Sequence, residues 1–364
     1  MNNETTTLPL GFPTTSDSSF QGIISTETKT QILSIVGVSV LPLVFICGTL
    51  GNIFTIVVLC YEGLRENVNV VLLFLAVSDL CYVVSYYIPF LSEIVKYFDV
   101  AESIRLKILT RMRLETASLI FGRISAIFVC FIAVQRFIFV AFPLKATMIL
   151  TKFRVRLTCV LICVTVVGMF FPFFLIFDHA YEFNLVFNET MPVGVRTEFY
   201  RSNAQVLEEY SFVYLTILFR IVPVFLVLVL SVLILLVLKK SRKWSQTVSN
   251  GNDSKRLASE RKITRTLLSV CILFVVTGVP YVLYYMMMAL LPGFNFTGRY
   301  VNTVAVIYPL VSVMEMINSS ANFILYITTS ASFYATFRRV FCSWSKYSER
   351  KESVSGSSLA TIVH

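Results

Sequence analysis

Hydrophobic and polar positions along this chain are segregated: long apolar blocks are divided by short polar stretches rich in lysine and arginine. Seven blocks reach the ~20 residues that a helix needs to cross a hydrocarbon core. They run Ile32–Cys60, Val68–Leu91, Thr116–Val140, Leu157–Phe177, Tyr210–Leu238, Thr266–Leu291 and Val301–Thr328. Their continuity predicts helices and not barrel strands, because a segment in lipid must bond its own backbone or join a closed barrel of alternating strands. The pattern therefore predicts an all-α membrane protein, a seven-transmembrane helix bundle over residues 32–328 in a lipid bilayer. Residues 1–31 are Thr/Ser-rich and lack an apolar core of signal-peptide length, so the first block is expected to act as an uncleaved insertion signal.

Composition excludes several alternatives. Of 364 residues, 56% are hydrophobic and 14% charged, against roughly 25% charged in soluble domains. A cytosolic globular enzyme and a disordered chain are both ruled out. There is no P-loop, GxSxG or HExxH and no carboxylate pair suggesting a site, so no enzymatic activity is expected. The formal charge of +10 would suit nucleic acid if it formed one surface. Instead, nine bases between Lys239 and Arg265 crowd the loop after the fifth block. Bases beside spans are a topology signal, and no nucleic-acid partner is expected.

The loop after the fourth block holds Asp178, Glu182, Glu189, Glu198, Glu208 and Glu209 against Arg196 and Arg201. Positive charge marks the inside, so residues 1–31 are expected to be extracellular and the C-terminus cytosolic, in a multi-pass protein of the plasma membrane. Sequons at Asn3, Asn188 and Asn295 then fall outside, where glycosylation occurs, whereas Asn252 falls inside. Seven of the eight cysteines lie within or at the end of apolar blocks, Cys342 follows the last, and His179 and His364 are the two histidines. Neither a zinc site nor an obvious extracellular disulfide is expected.

Ionisable groups in a span are costly and face the bundle interior, so they mark function. Asp79, Arg123, Arg220 and Glu315 stand out. At 1.5 Å per residue, Arg123 lies about 20 Å above Arg136 and Glu315 about 20 Å above Thr328, which gives the two a similar depth. They are expected either to pair, locking the third and seventh spans together, or to contact a ligand.

Short motifs recur along the spans. Gly51-Asn52 lies in span one and Leu75-Ala76-Val77-Ser78-Asp79 in span two. Gln135-Arg136-Phe137 ends span three, with Pro143-Leu144 following. Pro223 and Pro280 lie in spans five and six. Asn318-Ser319-Ser320-Ala321-Asn322-Phe323-Ile324-Leu325-Tyr326 lies in span seven. Together, over Ile32–Cys342, they resemble the rhodopsin-like family of G-protein-coupled receptors. The resemblance implies a heterotrimeric G protein as partner, with arrestin and receptor kinases beside it. It implies Arg136 as switch residue, Glu260 as its inactive-state partner, and Tyr326 in the same coupling region. Asn52, Asp79, Ser125, Asn318, Ser319 and Asn322 would converge in a polar cluster, either an interhelical hydrogen-bond network or an oxygen cage for a sodium ion. The segment with Phe333, Phe337, Arg338 and Arg339 resembles the family's amphipathic eighth helix over residues 329–343. Cys342 would be its palmitoylation site, and residues 344–364 a cytosolic tail with serines for kinases. The sequence also departs from the pattern: Gln135 replaces an acid, Gly278 an aromatic, Phe323 a proline, and Arg111 a disulfide cysteine.

Within the family, Pro143-Leu144-Lys145-Ala146 and the Asn318–Tyr326 segment look most like invertebrate FMRFamide and myosuppressin-type receptors, which implies an amidated, RFamide-like neuropeptide. Ser118 stands where amine receptors have aspartate, so a biogenic amine is disfavoured; span seven has no lysine for retinal. Tyr82, Tyr86, Tyr281, Tyr284, Tyr285 and Tyr308 would ring the outer mouth, stacking on Arg and Phe side chains, unless each is ordinary packing. The acidic loop would attract a cationic peptide, and Glu315 would anchor its arginine. A chemosensory receptor for environmental small molecules is the second reading. A transporter or ligand-gated channel is the third, weakened by the lack of an internal repeat.

Overall fold

The computed structural model describes residues 23–64, 66–248 and 252–342, without the side chains of 212, 240–261 and 342. The expectations for Asn3, for the side chains of Glu260 and Cys342, and for the tail serines lie outside these residues.

Seven helices are long and apolar enough to cross a membrane: Thr26–Glu62, Asn67–Val95, Val100–Ala141, Lys152–Leu175, Val213–Lys239, Lys262–Leu290 and Val301–Thr329. Below they are spans one to seven, and the end that the charge pattern assigns to the outside is the outer end. Span three is the axle of the bundle, packing against spans two, four, five and six. Its apolar window is 56% buried, whereas that of span four is 17% buried and faces outward. A core running from Leu75 through Ile124, Phe128 and Ile132 to Val270 and Tyr326 joins the spans.

Span three begins at Val100, well outside the expected Thr116. Its 42 residues measure about 63 Å, roughly twice the hydrocarbon thickness. The extra turns carry Arg105, Lys107, Arg111 and Arg113, which composition alone assigned to a loop. Asp99 starts the helix by accepting from the backbone N–H of Glu102 at 3.0 Å, and so satisfies one of the donors that a helix start leaves open.

Pro223 in span five lacks an N–H for the helical ladder and crowds the preceding turn. The structure answers with π turns at Tyr210–Leu215 and Ile217–Ile221 just before it. Such turns insert extra residues into the helical register and re-aim side chains. Pro280 and Pro309 sit inside spans six and seven. After span seven come a short helix, Ala331–Phe337, and a π turn, Arg338–Cys342. Phe323, in the place of the family's proline, packs its ring among Phe54, Phe333 and Phe337 at this inner end.

Between spans four and five, strands β1 (Phe177–Asn184) and β2 (Glu189–Arg196) form an antiparallel hairpin. It docks on the outer part of span three, where Arg105 reaches Glu189 at 3.3 Å and the sulfur of Met191 at 3.9 Å. Gly194 is a close approach: a Cβ there would strike the side chain of Met112. The seven cysteines whose side chains are described are all free, so these contacts stand where the family has a disulfide.

Candidate functional site

Between spans three, five, six and seven lies a charged floor. Glu315 receives three charge-assisted hydrogen bonds. Arg123 Nη1 donates to its Oε1 at 3.1 Å. Arg220 donates with both arms, Nη1 to Oε1 at 3.1 Å and Nη2 to Oε2 at 3.2 Å. The two-armed geometry is the one for which a planar guanidinium is suited. Both arginine side chains are buried, 6% and 7% exposed, against 20% for the glutamate. Arg123 and Glu315 thus meet at the depth that helix rise gave them. Arg220 is the third member, which the depth arithmetic could not supply because the π turns set its direction.

The tyrosines line this floor unequally. Tyr281 lies under Arg220, with the guanidinium carbon 3.2 Å from the ring centroid, and Tyr285 is 5.7 Å away. That stacking is a cation–π contact. Tyr82 points its hydroxyl at Glu315 Oε2 over 3.5 Å, too long to count for much. Tyr284, Tyr285, Tyr308 and Phe294 form an aromatic wall, with Tyr284 6.0 Å from Tyr308 and 6.2 Å from Phe294. Tyr86 packs on Tyr82 and Phe90. Ser118 is turned back on its own helix, donating to the Glu115 carbonyl at 2.8 Å, and Glu115 itself is paired with Arg111 at 2.7 Å.

Two cavities share the arginines. One of about 30 Å³ is lined by Arg123, Arg220, Glu315, Gly278, Thr277 and Asn318, among others. The other, of about 180 Å³, has Arg123, Arg220, Ser211, Thr216, Phe173 and Tyr285 in its wall. Gly278 explains the first: a Cβ there would come within 2.7 Å of Val224, so the missing aromatic leaves room and lets spans five and six close together. Ser211, Thr216, Phe173 and Thr277 were not anticipated, because nothing in their types distinguishes them from packing residues.

Nearer the inner end, Asp79 is fully buried. Its Oδ1 accepts from Ser125 at 2.6 Å and its Oδ2 from the amide of Asn322 at 2.8 Å. Asn52 is next to this group but donates to the Gly48 and Ser319 carbonyls. Asn318 is drawn away from it to the small cavity above. The Oδ1 atoms of Asn318 and Asn322 are buried without a hydrogen-bond partner.

Arg136 is 2% exposed, with its guanidinium carbon 5.1 Å from the Phe139 centroid. Tyr326 is also buried, packed on Phe333. Asn188 is exposed at the turn of the hairpin with a positive φ of 52°. Asn295 is exposed as well, its side chain holding Thr297.

Residues 51–326 match the family described as 7 transmembrane receptor (rhodopsin family). No curated protein matches the chain.

Proposed function

The chain belongs to the rhodopsin family of seven-transmembrane receptors, a receptor family and not an enzyme class, and from that premise we propose that its ligand is an extracellular peptide. The family signals through heterotrimeric G proteins, and this chain is a multi-pass membrane protein. The observation carrying the peptide reading is the size of the cavities, about 30 and 180 Å³. Sites that enclose a drug-sized ligand run to roughly 300–1,000 Å³. The floor has room for one terminal group or side chain, with the rest of the ligand lying over the hairpin and the outer tyrosines.

An RFamide arginine is poorly served by Glu315, whose two oxygens are held by Arg123 and Arg220. The exposed Asp178 and Glu182 of the hairpin suit a cationic end better. A molecule of only a few carbons would fit the larger cavity of about 180 Å³ whole, which supports the chemosensory reading as second.

In the proposed mechanism the ligand favours a state in which the inner ends of spans five and six part near Arg136, opening a cleft for the G protein. Asp79, Ser125, Ser319 and Asn322 are suited to hold a sodium ion, because the unpartnered Oδ1 of Asn322 adds an acceptor beside a carboxylate. Bound there, the ion would supply the counter-charge that Asp79 lacks. The plasma membrane, with the N-terminus outside, is the proposed location, with arrestin and receptor kinases as further partners.

The test is a peptide library applied to cells displaying the full chain, read by G-protein activation. A peptide agonist is expected, and its response should fall at least tenfold in Arg136→Ala at equal surface expression. Silence to every peptide together with activation by small molecules overturns the peptide reading.

A further inference from the structure

The geometry points to the Arg123–Arg220 pair as a receptor for a carboxylate group of the ligand, with Glu315 standing in for that group in the ligand-free protein. This deepens the ligand reading above and rests on it only for the ligand's size.

Charge gives the first reason. The floor holds two guanidinium groups and one carboxylate, all deep in the bundle. Guanidinium groups stay protonated in proteins, so with Glu315 ionised the cluster carries one surplus positive charge. The remaining groups around it are neutral: Tyr82, Tyr281 and Tyr285 are phenols, and Thr277, Thr216 and Asn318 are uncharged. Of the further acids on these spans, Glu115 is taken up by Arg111, and Asp79 is held by the hydroxyl of Ser125 and the amide of Asn322. A buried surplus charge is costly, and an arriving anion removes that cost.

Bond geometry gives the second. Arg123 makes one hydrogen bond among the described residues, to Glu315 Oε1, and that oxygen is shared with Arg220. A guanidinium carries five N–H donors in a rigid fork, so Arg123 has donors to offer a second carboxylate without releasing the first. Both arginines line both cavities, and the larger has volume for a carboxylate with a few attached carbons. Unpaired amide oxygen Asn318 Oδ1 at the small cavity adds an acceptor for a water or an N–H of the ligand.

The carboxylate could belong to a free peptide C-terminus or acidic side chain, or to a small organic acid. Two experiments separate the sources. In the first, full-length purified receptor is melted with millimolar acetate, propionate or benzoate, and with acetamide, propionamide or benzamide at matched ionic strength. The acids are expected to raise the melting temperature and the amides to leave it unchanged. Arg220→Lys and Arg123→Lys, which keep the charge and lose the fork, should weaken acid binding at least fivefold. Glu315→Gln removes the internal competitor and should tighten it at least tenfold. Equal effects of acids and amides on the wild-type protein, undiminished acid binding in both lysine variants, or weaker binding in a folded Glu315→Gln variant each overturn the inference. If Glu315→Gln does not fold, the two lysine variants decide.

In the second, the same peptide library is made with free and amidated C-termini. Free acids at least tenfold more potent than their amides, a ratio lost in Arg220→Lys, support a peptide carboxylate. Small acids that bind while no peptide activates leave the carboxylate site standing and remove the peptide reading. Amidated peptides as potent as free acids, with the small acids inert, do the reverse.

Discussion

Glu315 is the residue on which the outer half of the bundle turns. It neutralises one of two buried arginines and receives hydrogen bonds from both. Removing the shared partner of a buried ionic cluster costs about 3–5 kcal/mol, because it leaves charge without compensation. Glu315→Ala is therefore expected to lower the melting temperature of detergent-solubilised receptor sharply. Arg123→Met leaves a balanced Arg220–Glu315 pair with its two parallel bonds, and should change stability by less than about 1 kcal/mol. Arg220→Met also loses the stacking on Tyr281 and should fall between the two. An order in which Arg123→Met is the most damaging would contradict this division of roles. The four ionisable residues themselves were plain in the sequence, because a charge in an apolar block is conspicuous. The resemblance also set Asp79 among hydroxyls and amides, and helix rise set Arg123 beside Glu315; the place of Arg220 in the same floor was the part hidden from the sequence.

Secondary-structure elements account for what sequence reading placed and what it missed. The seven spans follow from apolar length, and their ends were misjudged where a helix continues in polar sequence. Span three is the clearest instance, since Arg105 to Glu115 look like loop by composition but continue the helix to Val100. The hairpin escaped notice because residues Phe177–Arg196 lie near a membrane surface without clean alternation, and its hold on span three depends on Arg105, Met112 and Gly194 meeting in space. Arg105 is one-third exposed, so its ion pair with Glu189 is worth at most ~1 kcal/mol. Arg105→Ala should accordingly leave the global melt nearly unchanged while speeding hydrogen exchange in β1 and β2. Unaltered exchange there would show that the hairpin is held by its other contacts. At Gly278 the element-level cost is larger: Gly278→Leu forces a side chain against Val224 and should destabilise the packing of spans five and six by about 1–3 kcal/mol, read as a lower melting temperature.

At the scale of the whole molecule, the topology rests on asymmetric charge. Asn188 and Asn295 are exposed at one end, and the basic loop lies in the sequence after span five. Asn188→Gln is expected to remove one glycan-sized shift on a denaturing gel, and Asn252→Gln none; a shift at Asn252 would invert the orientation. The family's architecture was legible because its motifs need only local sequence, whereas the charged floor depends on which way three helices turn their faces.

The length of span three has a mechanical consequence. Met112, under the hairpin, and Arg136, at the opposite end, belong to one uninterrupted rod and stand about 36 Å apart along it. Packed against four neighbouring spans, such a rod is a direct physical connection between the sheet near one end and the arginine near the other. Under the proposed mechanism, a ligand that leans on the hairpin would act on Arg136 through this rod without entering the bundle.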